Sequence, residues 1–177
     1  VDISYTSVPG PGETVVPRLL RERYWIFSPK FTSNGHGKPS LCSTPPHCSL
    51  SHTGGRTFAA FSQADVGLDA EWRKRPLPQA VLRRLSEAER EEDFFRLWTA
   101  KEAYVKYLGG SLAVLLPALR FERGALLHNN APVNAALAFF EQAGCTVAVC
   151  TAQAHPALFH EIFPQDHTSD HTFSSGT

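Results

Sequence analysis

The chain has 177 residues, enough for one domain or for two small, closely packed halves. Hydrophobic residues make up 42% and charged residues 19%, a composition that excludes global disorder. Lysine plus arginine and aspartate plus glutamate number 17 each, so the overall charge gives no electrostatic case for nucleic acid as the main partner.

No apolar run approaches the ~20 residues that a membrane-crossing helix needs. No charged segment followed by an apolar core opens the chain, so a secretory leader is not expected. The four cysteines, at 42, 48, 145 and 150, are sparse for a disulfide framework, and free thiols in a reducing, cytoplasmic setting are expected. The chain holds no methionine, even at position 1, so sequence preceding Val1 is expected.

In chain order, residues 1–14 are rich in Pro, Gly and Ser without a period, which predicts a loop or frayed end. A short helix is expected over 17–24. A turn-rich stretch follows over 28–49, with Asn34-Gly35, Gly37 and Pro45-Pro46. Residues 57–61 and 66–70 read as two short strands joined by 62–65. Ser86, with Glu89 three residues on, makes a capping box. The helical region it opens has its longest part over 93–108, where Phe94, Leu97, Trp98, Tyr104, Val105 and Leu108 recur at helical spacing. Gly109-Gly110 stops it. A second strand pair is expected over 136–142 and 146–151, turned at Ala143-Gly144. Residues 164–177 are polar and unpatterned and read as a disordered tail.

Two segments echo each other. The run from Gly55 to Ser62 and the run from Gly144 to Thr151 share the pattern glycine, any residue, threonine, apolar, alanine, two apolar residues, hydroxyl. Similar strands far apart suggest a duplicated half-domain.

The acidic residues carry the strongest chemical signal. Asp69 and Glu71 sit two apart on an expected strand, so both point to one face. Glu102 lies inside the long helix. Three converging carboxylates would hold a hard cation such as Mg2+ through oxygen, as phosphoryl-transfer sites do. A strand edge with two solvated acids and a helix with a surface glutamate account for the same spacing. Glu102 and Lys106 share a helix face, either as an ordinary ion pair or as a carboxylate beside a phosphate-binding lysine. The small, hydroxylated run Ser51-His52-Thr53-Gly54-Gly55 lets backbone and hydroxyls approach a phosphate, or is a plain turn into a strand. Cys42, His47, Cys48 and His52 are near in sequence but fit no common structural zinc spacing. Histidines 155, 160, 167 and 171 show no ligand spacing either.

Taken in order, these pieces resemble the Sfp-type (surfactin-synthetase-activating) 4′-phosphopantetheinyl transferases of the holo-[acyl-carrier-protein] synthase superfamily. Gly37-Lys38-Pro39 is similar to that family's GKP element. Leu50-Ser51-His52-Thr53-Gly54 resembles its serine–histidine–glycine element, and Val66-Gly67-Leu68-Asp69-Ala70-Glu71 its acidic strand, with Ala70 where the family prefers Ile or Val. Leu85-Ser86-Glu87-Ala88-Glu89 resembles its helix opening. Trp98-Thr99-Ala100-Lys101-Glu102-Ala103-Tyr104-Val105-Lys106 matches W-x-x-K-E-A-x-x-K at every fixed position, and the glycine-rich stop follows. The likeness covers residues 20–155.

The resemblance implies an α+β fold: a pseudo-twofold arrangement of two similar α/β half-domains, the first shortened. The halves are expected at 1–66 and 67–160, with the tail at 161–177. It implies transfer of the phosphopantetheine arm of coenzyme A to a carrier-protein serine, of fatty-acid, polyketide or peptide synthesis. The rival expectation is a non-catalytic or inactive coenzyme A- or carrier-binding remnant. It further implies Mg2+ on Asp69, Glu71 and Glu102, with Glu102 and Lys106 in catalysis. Lys38, Ser51, His52, Lys101 and Lys106 would hold coenzyme A, and Arg18 or Arg21 would stand for further basic contacts. Carrier domains of this class are acidic, so Arg73, Lys74, Arg75, Arg83 and Arg84 are the expected docking patch on a monomer, with neither nucleic acid nor membrane as partner.

Overall fold

The structure is a computed structural model that describes residues 1–6, 16–18, 20–21, 24–25, 31–33, 39–41 and 46–162. Lys38 and residues 163–177 of the expected disordered tail lie outside these residues, while the first two residues of that tail, 161 and 162, end a strand over Leu158–Ile162.

Two hairpins set the frame. β4 (His47–Thr53) turns through Gly54 and Gly55 into β5 (Arg56–Ser62), and both glycines have positive φ, 54° and 74°. β10 (Ala136–Gln142) turns through Ala143 and Gly144, at 52° and 73°, into β11 (Cys145–Thr151). Two successive positive φ values match the turn to the twist of the paired strands. Each hairpin gains outer partners. β1 (Asp2–Thr6), β5, β4 and β12 (Leu158–Ile162) form one sheet in the order β12-β1-β5-β4. β6 (Val66–Trp72) joins the second hairpin in the order β10-β11-β6.

The loop expected over 1–14 is therefore corrected at its start. β1 pairs antiparallel with β5 and parallel with β12, and Ile3 is fully buried. Its partners lie about 60 and 155 residues away, so no local pattern announces them. The turn-rich stretch is likewise interrupted by β2 (Phe31–Ser33) and β3 (Pro39–Leu41), and β4 starts inside it. The three-stranded sheet of β7 (Leu119–Glu122), β8 (Ala125–His128) and β9 (Ala131–Pro132) was not expected.

The helices agree with the capping signals. After α1 (Gln79–Leu82), Ser86 and Glu89 form the reciprocal box at the head of α2 (Glu87–Arg90). Asp93 caps α3 (Phe94–Tyr107), accepting from the N–H groups of Phe95 and Arg96 at 2.9 and 3.1 Å. At the other end Gly109 takes φ +64°. Its N–H bonds to Lys106 O at 3.1 Å and that of Gly110 to Val105 O at 3.0 Å, a Schellman closure. α4 (Leu112–Leu115) follows. None of the described helices is long and apolar enough to cross a membrane.

β6 is central because its two faces serve different partners. Val66, Leu68 and Ala70 enter the core between the sheets with Ile3, Phe58, Ala60 and Val147. Gly67 lies on the other face, beneath α3. A Cβ built there would sit 1.9 Å from Ala103 O and 2.4 Å from Tyr107 N, so only glycine lets the helix backbone rest directly on the strand. Leu97, Ala100 and Ala103, each fully buried, hold α3 down.

Candidate active site

Strand alternation puts Asp69 and Glu71 on the same face as Gly67, under α3. The close approach at Gly67 then brings Glu102 and Lys106, one helical turn apart, onto the same spot. One carboxylate oxygen from each of Asp69, Glu71 and Glu102 lies within 4.8 Å of the others. The sequence-predicted triad is thus assembled as solvated acids on separate surfaces would not be.

Asp69 is buried. Its Oδ1 accepts from Lys106 Nζ at 2.6 Å and from Ser51 Oγ at 2.8 Å. Its Oδ2 is buried and accepts no hydrogen bond from the described residues. Glu71 is gripped by Arg75, whose Nη2 donates to Oε1 at 2.8 Å and whose Nε lies 2.6 Å from Oε2. Burial, then the charge of Asp69, still raises the Glu71 pKa above the ordinary value, against Arg75. Glu102 is raised furthest, to about 7, first by burial and then by the Asp69 charge; Lys106 and a hydrogen bond from Trp98 oppose the shift. Two carboxylates whose ionisation is resisted, Glu71 and Glu102, crowd beside an Asp69 oxygen that accepts no hydrogen bond from the described residues, an arrangement that could hold a cation. All donors are carboxylate oxygens, the ligand type of Mg2+.

The remaining predicted coenzyme A residues separate. Ser51 is buried, and its hydroxyl also accepts from the Ala70 N–H at 3.2 Å. His52, the next residue along β4, is exposed on the opposite strand face. Lys101 lies off the carboxylate face and lines a cavity with Leu85 and Trp98. Its Nζ is buried and pairs with the buried Glu89, whose oxygens also accept from Ser86 N at 3.0 Å and Phe121 N at 3.1 Å. Burial alone would raise the Glu89 pKa, but Lys101 and these N–H groups bring it below the usual range. This buried ion pair ties α2 to α3 and β7.

The basic run divides in the same way. Arg73 is engaged by Asp93 at 2.6 Å and donates to Thr146 at 2.7 Å, and Arg75 by Glu71. Lys74, Arg83 and Arg84 are exposed. Arg84 and Arg120 flank a cavity of about 370 Å³ floored by Leu85, Trp98 and Leu116, which includes none of the three carboxylates.

Three contributors have neighbours here that the sequence reading did not give them: Gly67 lies under the helix backbone, Arg75, expected in the docking patch, holds Glu71, and Ser51, expected at coenzyme A, holds Asp69. Arg75 follows Glu71 by four residues, a spacing that announces a pair only within a helix. The β4 signal was present, since Ser49, Ser51 and Thr53 alternate along one strand face.

Comparison with known proteins agrees with this geometry. Residues 65–158 match the family model of the 4′-phosphopantetheinyl transferase superfamily. The chain is 31% identical to 4′-phosphopantetheinyl transferase psf-1 of Bacillus pumilus over 58% of its own length and 50% of that protein. It is 24% identical to 4′-phosphopantetheinyl transferase Sfp of Bacillus subtilis (strain 168), over 89% of this chain and 76% of that one. With 4′-phosphopantetheinyl transferase AcpT of Salmonella typhi the identity is 34%, over 53% of this chain and 57% of the relative. The chain thus spans about half the length of the Bacillus pumilus and Salmonella typhi relatives. The matched segment begins just before β6 and ends at β12, enclosing the whole carboxylate cluster, and the chain belongs to the 4′-phosphopantetheinyl transferase superfamily, in its Sfp-type branch.

Proposed function

We propose that the chain moves the 4′-phosphopantetheine arm of coenzyme A onto a serine of an acyl or peptidyl carrier protein, with Mg2+ held by Asp69, Glu71 and Glu102. The observation that carries this reading is the carboxylate cluster, one oxygen from each of the three within 4.8 Å of the others, with a buried Asp69 Oδ2 left without a hydrogen bond by the described residues. A buried acceptor left so is costly unless a cation completes it. Bound there, Mg2+ would neutralise charge on the pyrophosphate oxygens.

The chain's own groups divide the remaining work. The carrier serine oxygen attacks the β-phosphorus, the bond to the bridging oxygen breaks, and 3′,5′-ADP leaves. Lys106 supplies a compact positive charge next to Asp69 for the charge that builds on the leaving group. Glu102, or a water it orients, is proposed to take the serine proton. Lys38 and His52 are proposed for the phosphates of coenzyme A. Exposed Lys74, Arg83 and Arg84 are proposed to meet an acidic carrier domain. A pseudo-twofold relation of the halves 1–66 and 67–160 belongs to the same reading, supported by the matched turns before β5 and β11. So do a monomeric state and a cytoplasmic setting.

The test is to incubate the protein with coenzyme A, Mg2+ and an apo-carrier and to weigh the carrier. The mass of the arm should appear, vanish with EDTA and return with Mg2+ or Mn2+. A carrier that gains no mass, from a protein that binds Mn2+, would overturn the proposed activity while leaving the metal site standing.

A further inference from the structure

The seam between the two sheets is built from hydroxyls. The edge of β6 away from β11 offers the N–H groups of Leu68, Ala70 and Trp72. Side chains of β4 take them in turn: Ser49 Oγ at 2.9 Å, Ser51 Oγ at 3.2 Å and Thr53 Oγ1 at 2.8 Å. Each hydroxyl accepts with a lone pair and so keeps its own hydrogen to give. Ser51 gives it to Asp69 Oδ1 at 2.8 Å; Thr53 gives its own, more weakly at 3.4 Å, to Glu71 Oε2. Among the described residues, Ser49 hydrogen-bonds only to this backbone N–H.

We propose that Ser51 is a positioning residue for the metal, not a phosphate contact: its hydroxyl, locked to the β6 backbone, fixes the Asp69 carboxylate so that Oδ2 faces the ion. The inference rests on the Mg2+ reading above. Its physical basis is a division of labour between the two Asp69 oxygens. Oδ1 is saturated by Lys106 and Ser51, while Oδ2 accepts nothing from the described residues although buried. Ser51 spans the Ala70 N–H and the neighbouring carboxylate, so rotation of Asp69 about χ2 would break the contact with a side chain that cannot follow. Lys106 cannot do this alone, because its long stem moves with the carboxylate and its side chain is a quarter exposed. The alternation of Ser49, Ser51 and Thr53 would thus carry two functions: sheet-to-sheet adhesion at all three positions and ligand orientation at two.

Ser49 supplies the control, since its loss costs the seam one bond and the carboxylates none. Mn2+ binding by the full chain, followed by calorimetry or by the Mn2+ electron paramagnetic resonance signal, reads the site without turnover. S51A should raise the Mn2+ Kd about tenfold or more, the usual effect of losing a group that orients a ligand. S49A should leave it within about twofold at a comparable loss of Tm. S51C, which keeps the shape of the side chain but donates weakly, should follow S51A if the alanine variant does not fold. Coenzyme A binding in EDTA should be unchanged in S51A. Equal weakening of Mn2+ binding in S49A and S51A, or unaltered binding in both Ser51 variants, would reduce Ser51 to a seam residue. Loss of metal-free coenzyme A binding would return it to the phosphates. A wild-type chain that binds no Mn2+ would sink this inference together with the Mg2+ reading, whereas binding without transfer would sink only the activity.

Discussion

At the scale of single residues, the site concentrates opposed charges that can be titrated and deleted. Lys106 pairs with Asp69, and its charge also lowers the Glu102 pKa from the same helix face. If its charge serves the leaving group, K106A should lower kcat/KM at least tenfold, equivalent to about 1.4 kcal/mol. A loss below about threefold would make it a mere partner of Asp69. Glu102 makes a pH prediction. Its carboxyl, raised to about 7, holds a proton in the folded state that the unfolded chain releases near 4.5. The folded protein therefore binds more protons between these values, and the metal-free chain should lose stability as pH rises through that window. A divalent cation requires the ionised forms, so it should offset this loss. The Tm gain on adding Mg2+ should be small at pH 5.5 and large at pH 8 by thermal melts. An equal gain at both values would contradict the shift and its cause.

At the scale of elements, the long helix and the acidic strand were legible because each declares itself locally. The helix shows 3.6-residue periodicity, an aspartate cap and two closing glycines; the strand shows alternation. What was hidden depended on pairing. β1 owes its existence to β5 and β12, and its five residues resemble any exposed loop. Lys101 and Glu102 are adjacent in sequence, but the helix turns them apart, one into a buried pair with Glu89 and the other into the cluster. Spacing to the carboxylates could not separate them without knowing that α2 packs alongside. Gly67 was only one position of the acidic-strand motif and is the point at which the helix backbone rests on the strand. G67A should force α3 away from β6. Overpacking against backbone should cost about 3 kcal/mol, lowering Tm by roughly 6–12 °C, and should weaken Mn2+ binding because Glu102 moves with the helix. A G67A chain with wild-type Tm and Mn2+ affinity would show that the helix backbone can yield there freely.

At the scale of the whole molecule, the balanced charge conceals a division between engaged and exposed cations. Arg73 and Arg75 hold structure together, so reversing Arg75 would strike the metal site through Glu71 and could not report on docking. Arg83 and Arg84 are the informative pair. Reversing both to Glu should raise the carrier KM several-fold and flatten its dependence on salt, with coenzyme A affinity unchanged. Unaltered KM and salt slope in steady-state assays would place docking elsewhere.

The parallel pairing of β1 with β12 has a mechanical meaning. Five residue pairs, from Asp2 beside Leu158 to Thr6 beside Ile162, align the beginning of one strand with the beginning of the other. Tension applied at the start of β1 and the end of β12 runs along both strands in opposite senses, so every rung of the ladder is loaded at once. Tension applied at the start of both strands peels the rungs one after another. In an optical trap, the first attachment should rupture at a clearly higher force than the second. The N-terminal sheet would then behave as a shear clamp, stiff along the strands and soft across them.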